Sequence, residues 1–146
     1  MPKNNTPFAM TMKSISPLLL LLLMLTQCRK PAESTDFTLG KSWVAELNTA
    51  YHEDSGPLEV LPTRVIEDSR CPTYAICVWE GQVAVDVQIK VGAQELRDTL
   101  STVRYLHGGD SVFFQGYKIK LLAVAPPRDR TDIPQEEYLL HLQVSR

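Results

Sequence analysis

The sequence predicts an all-β domain, either a small β-sandwich or a partly open barrel of about six to seven strands. Two observations predict it. Three separate runs alternate apolar and polar residues with period two. Between them lie many short apolar segments divided by turn-forming residues, and no firm helical period appears after the N-terminal leucine run.

Taken in chain order, Ser42 to Tyr51 reads two ways. Trp43, Leu47 and Tyr51 fit a helical turn, whereas Trp43, Ala45 and Leu47 fit a strand. Leu58 to Ile66 is a weak strand interrupted by Pro62, which cannot donate to a ladder. Gln82 to Val91 is the strongest strand. Val83, Val85, Val87, Ile89 and Val91 alternate with Ala84, Asp86, Gln88 and Lys90, giving one buried and one wet face. The same parity runs back through Trp79 to Cys77, so a straight strand would turn both toward the core. That strand would be too long to stay flat, and Gly81 is the natural bulge or bend.

Glu95 to Leu100 and Ser111 to Phe114 are short candidates, with His107-Gly108-Gly109-Asp110 and Gln115-Gly116 as turns. Tyr117 to Val124 alternates Tyr117, Ile119 and Leu121 with Lys118 and Lys120, and Pro126-Pro127 stops it. A polar loop follows to Glu137. The last strand, Tyr138 to Val144, puts Tyr138, Leu140, Leu142 and Val144 on one face.

The N-terminus has a different character. Lys13 precedes Ser14-Ile15-Ser16-Pro17, then the apolar run Leu18 to Leu25, then Thr26-Gln27-Cys28. A basic start, a short apolar core and a polar exit are the parts of a secretory signal. The core is far shorter than the roughly 20 apolar residues a spanning helix needs. Leu25 and Cys28 stand in a Leu-x-x-Cys arrangement, and the segment Met12 to Cys28 resembles a bacterial lipoprotein signal. Gln27 stands where that family has a small residue. The resemblance implies cleavage before Cys28, acylation of Cys28, and a place in the bacterial cell envelope outside the cytoplasm. The chain then divides into a signal peptide (1–27), an acylated cysteine with a flexible polar tether (28–36), and a β domain (37–146). Its first partner would be membrane lipid, held through the acyl chains of Cys28.

Without residues 1–27 the chain keeps 13 basic and 17 acidic residues, since the leader holds only Lys3 and Lys13 and no acid. A mildly acidic, unpatterned domain argues against nucleic acid as a partner. It has no basic patch for anionic lipid, so the acyl group would supply the membrane affinity.

Three cysteines are present: Cys28, Cys71 and Cys77. If Cys28 carries lipid, two remain in an exported chain, and an even remainder there reads as a disulfide. Closing so short a loop is worth roughly 2 kcal/mol on the chain-entropy estimate. The rival is a metal site, for which two cysteines with no nearby histidine are poor ligands.

The most distinctive internal stretch is Asp68-Ser69-Arg70-Cys71-Pro72, then Cys77-Val78-Trp79-Glu80-Gly81. Together with the β-rich tail it resembles a group of small exported bacterial proteins sharing Asp-Ser-Arg-Cys-Pro and Cys-x-Trp-x-Gly. Glu80 stands where these often have a small residue. The resemblance implies a fold and an exported location, and no activity. Physically, Asp68 and Ser69 form turns, Arg70 can tie down carbonyls or pair with Asp68 or Glu80, and Pro72 stiffens the loop entry. Trp79 is expected against the disulfide. These residues make a structural staple. The functional alternative displays Thr73 to Ile76, with Tyr74 and Ile76 anchoring a protein partner in the envelope.

Nothing else in the sequence assembles a catalytic or cofactor site. His52, His107 and His141 have no ligand spacing, and Ser69, Ser101 and Ser111 lack a nucleophile-elbow context. Glu136-Glu137 is no glycosidase dyad without geometry. The expected function is therefore that of a non-enzymatic envelope lipoprotein, a binding or structural module without cofactor or metal. The alternatives are an inhibitor-like module presenting the Cys71–Cys77 loop, or a hydrolase whose site the sequence does not show.

Overall fold

A computed structural model describes residues 35–103 and 109–146. The leader, Cys28, most of the tether and His107 lie outside the described residues. Among the described residues, nine strands form two sheets: β1 (Asp36–Phe37), β2 (Ser42–Glu46), β3 (Tyr51–Glu53), β4 (Leu58–Asp68), β5 (Val83–Val91), β6 (Gln94–Ser101), β7 (Ser111–Phe114), β8 (Tyr117–Ala125) and β9 (Leu139–Ser145). One sheet has the order β1-β3-β4-β5-β6 and the other β2-β9-β8-β7. The sheets do not close on each other, so the fold is a small β-sandwich. It holds more strands than the expected six to seven, because the ambiguous Ser42–Tyr51 segment supplies two short ones and Asp36 starts another. Asp36, read as tether, pairs with His52 in β1.

The alternating residues do what their period demands. Val83, Val85, Val87 and Ile89 of β5 are buried, as are Tyr117, Ile119 and Leu121 of β8 and Leu140, Leu142 and Val144 of β9. With Leu58, Val60, Leu100 and Val112 they form one core between the sheets. Each fully buried aliphatic side chain contributes about 1.5–3 kcal/mol relative to exposure, so the core faces alone fix the register of the long strands. Trp43 stacks on Phe37 with ring centroids 4.2 Å apart and closes the edge near β1.

β4 survives Pro62 because its pairing with β5 shifts register between Pro62 and Arg64, and again between Val65 and Glu67. Bulges of this kind accommodate a residue that cannot donate and increase local twist. Past the second shift, β4 ends in the Asp68-Ser69-Arg70 segment at one end of the sandwich. The β8–β9 connection reaches the same end, since Thr73 N donates to Arg128 O at 2.9 Å. The C-terminus lies at the other end, where Arg146 contacts Tyr117.

One expectation fails here. Cys77 and Trp79 do not continue β5, which starts at Val83, and they do not face the core. Trp79 is 82% exposed. The cause is Gly81, whose backbone sits at φ +68. That left-handed residue turns the backbone out of the extended conformation between the stem and β5, so side-chain parity is not carried across it. A Cβ at Gly81 would lie 1.9 Å from the Ser69 carbonyl oxygen, so only glycine fits the crossing.

Candidate functional site

The β4–β5 connection leaves the sandwich as a narrow stem. Ser69 N donates to Gln82 O and Cys71 N donates to Glu80 O, both at 2.8 Å. The stem is closed by the Cys71–Cys77 disulfide, with Cα atoms 5.8 Å apart. Inside the ring, Ala75 N donates to Pro72 O at 3.0 Å, so Pro72 shapes the turn as its fixed φ allows.

Arg70 fastens this stem to the opposite sheet. Its Nε donates to Asp68 Oδ1 at 2.9 Å and Nη2 to Asp68 Oδ2 at 2.6 Å. Nη1 donates to the carbonyls of Val124 and Pro126, both at 2.9 Å. The guanidinium fork suits this task because it offers several donors in one rigid plane. Tyr138 Oη donates to Asp68 Oδ2 at 3.0 Å, and Arg128 Nη1 donates to Arg70 O at 2.7 Å. Burial alone would push the Asp68 carboxyl up; the hydrogen bonds and charge of Arg70, with the Tyr138 hydroxyl, outweigh it and hold the carboxyl below its ordinary value. Burial, and then the Asp68 charge beside it, push Tyr138 up to about 12.

Beyond this staple the loop carries apolar side chains into solvent. Tyr74 is 69% exposed, and Ile76 and Val78 are fully exposed. With Trp79 they make four large apolar side chains within six residues. From Cys71 to Trp79 there is no charged residue. Ordinary surfaces carry such residues singly, and a contiguous patch on a protruding loop marks a contact surface. Beside the stem, a cavity of about 410 Å³ is lined by Glu67, Ser69, Trp79, Glu80, Gln82 and Val103. A second, of about 540 Å³, lies against Arg70, Thr73, Leu122, Val124 and Arg128.

The structure thus brings together Asp68, Arg70, Pro72, Gly81 and the Cys71–Cys77 bridge as the staple, and displays Tyr74 and Ile76 beyond it. Trp79 belongs to the displayed set and not to the staple. Sequence reasoning missed Val78 as a surface residue, and missed Tyr138 and Arg128 as partners of the staple. The uncharged run from Cys71 to Trp79 was the available signal for Val78. Nothing local signals Tyr138, which lies 70 residues from Asp68.

The other candidates stay apart. His52 Nδ1 lies 3.7 Å from Glu59 on the sheet surface. Ser69 Oγ donates to Glu67 Oε1 at 2.8 Å. Glu137 pairs with Arg130, and Glu136 is on the exposed 3-10 turn Gln135–Glu137. Among the described residues, no group of three His, Cys, Asp or Glu side chains converges for a metal, and no helix is long and apolar enough to cross a membrane. A search of family models, of curated proteins and of solved structures finds no match to this chain.

Proposed function

We propose that this chain is a lipid-anchored binding module of the bacterial cell envelope, non-enzymatic, with the stapled loop as its contact surface. The anchor reading rests on the leucine run ending at Cys28. The contact reading rests on one observation: Tyr74, Ile76, Val78 and Trp79 stand exposed on a loop that is already ordered. The disulfide, the stem hydrogen bonds and Arg70 fix the loop before anything binds. A preordered loop loses less conformational freedom on binding, which is the physical advantage of stapling it.

Two measurements test the two halves. Metabolic labelling with a palmitate analogue should tag the native protein and leave Cys28→Ser unlabelled and unprocessed. Labelling and normal processing of Cys28→Ser would refute the anchor. For the loop, a photocrosslinking side chain placed at Ile76 should form adducts in the intact envelope, while one at Arg97, on the outer face of β6, should not. Equal adduct yields at both positions would refute the loop as the contact surface.

A further inference from the structure

We propose that the cavity beside the stem binds a neutral saccharide, whose ring lies on the Trp79 indole. The inference goes beyond the loop contact, and it stands whether or not Ile76 meets a partner.

The cavity has a built polar floor. At about 410 Å³ it falls within the size of small-molecule pockets, about 300–1,000 Å³. Tyrosines apart, the buried polar side chains among the described residues are Gln82 and Ser101, and both belong to one network at this cavity. Ser101 Oγ donates to Gln82 Oε1 at 2.8 Å, and Gln82 Nε2 donates to Glu67 Oε2 at 3.0 Å. Ser69 Oγ donates to Glu67 Oε1 at 2.8 Å. A satisfied network of this kind holds its members in one orientation. It fixes the Gln82 amide before a ligand arrives.

The wall is aromatic. Trp79 lines the cavity while most of its surface is open to water, and among the described residues no other ring packs on it. Glu80 lines the same cavity, and among the described residues no hydrogen bond or ion pair engages its carboxylate. Gln82 Nε2 carries two hydrogens, and one of them goes to Glu67.

These groups sort ligands by chemistry. Glu67 and Glu80 repel phosphate and carboxylate groups. A hydrocarbon would take water from the polar lining and return no hydrogen bond. An organic cation would satisfy the carboxylates and leave the second hydrogen of Gln82 Nε2 without an acceptor. A sugar ring meets all three demands. Its C–H face is apolar and covers the indole. Its hydroxyls donate to a carboxylate and accept from an amide, and the Glu80 and Gln82 side chains offer one of each. A free sugar and a unit of an envelope polysaccharide share this chemistry, and the test separates them.

Full-length protein in phosphatidylglycerol vesicles is titrated with methyl glucoside, methyl galactoside and the disaccharide of N-acetylglucosamine. Saturation-transfer NMR reads the protons of the sugar itself. At least one sugar should receive saturation from the native protein. Trp79→Ala should weaken that binding about ten-fold, the scale of a lost aromatic contact. Glu80→Ala should weaken it as well; both residues are exposed, so neither change threatens the fold. Arg97→Met should leave it intact. Molar salt should not weaken it, because the ligand carries no charge. Retention of the protein on purified insoluble peptidoglycan, released by the free disaccharide, would assign a polymer as the source. Saccharide binding without that retention would assign a free sugar, and either result supports the site. No transfer to any of the three sugars would overturn it. So would transfer that Trp79→Ala leaves unchanged, or binding that molar salt abolishes. Photoadducts at position 76 bear on the loop contact alone, so the two readings fail separately.

Discussion

Replacing Arg70 with methionine probes the staple most directly. The substitution keeps an unbranched apolar stem and removes every donor. Asp68 would then keep only the Tyr138 hydroxyl and the backbone amide of residue 70, and the Val124 and Pro126 carbonyls would lose a partner. The side chains of Arg70 and Asp68 are 17% and 10% exposed, so most of the pair is out of water. Removing one partner of a fully buried pair costs about 3–5 kcal/mol; some solvent reaches this one, so about 2–4 kcal/mol is expected. For a domain of this size that lowers Tm by about 8–16 °C, at roughly 4 °C per kcal/mol. The control is Arg97→Met, since Arg97 is 78% exposed and its pair with Glu95 is worth ~0.5 kcal/mol at most.

The pH dependence carries the sign. The folded Asp68 carboxyl titrates below its ordinary value of 3.8, so its stabilisation is present above that value and lost as pH falls through the folded one. In Arg70→Met the guanidinium's charge and hydrogen bonds are gone while burial remains, and only the Tyr138 hydroxyl and the amide of residue 70 still favour the carboxylate, so the variant is penalised most where the carboxyl is charged. The gap in Tm between native and variant should be wide at pH 7 and narrow as the pH drops below 4. Thermal unfolding followed by near-UV circular dichroism across pH 3–7 reads both effects. A loss no larger than that of Arg97→Met, or a gap that does not narrow in acid, would refute the reasoning.

Two further outcomes are expected. Cys71→Ser with Cys77→Ser should cost about 2 kcal/mol by chemical denaturation, and native protein should resist thiol alkylation until reduced; free alkylation of both cysteines would remove the bridge. Tyr138 has its pKa raised to about 12, so the stability it confers should hold below pH 10 and be lost as pH rises toward 12. Tyr138→Phe should lack this alkaline loss, and an unchanged alkaline midpoint in that variant would count against the Asp68 contact.

Much of the fold was legible because strands report themselves locally. Period-two alternation marks β5, β8 and β9 and assigns their buried faces, since a one-residue slip would turn every apolar side chain to water. The pairing of Cys71 with Cys77 was legible by elimination once Cys28 was read as the lipid-bearing cysteine. The bulges that carry β4 past Pro62 were not, because they depend on what β5 presents opposite. Nor was the exposure of Trp79. Parity assigned it to the core, and parity holds only while the backbone stays extended.

By itself, then, the sequence determined that this is an all-β chain, which residues line its core, and where a rigid loop would leave it. Those are properties of neighbours in sequence: alternation, turn chemistry and spacing. Only the tertiary structure decided which way the loop's side chains face and what holds its stem. Gly81 must be glycine because its backbone passes against the Ser69 carbonyl, and Arg70 is satisfied because the end of β8 brings the Val124 and Pro126 carbonyls within 2.9 Å. Contacts between residues more than fifty positions apart are set by how the two sheets stack, which no local pattern encodes.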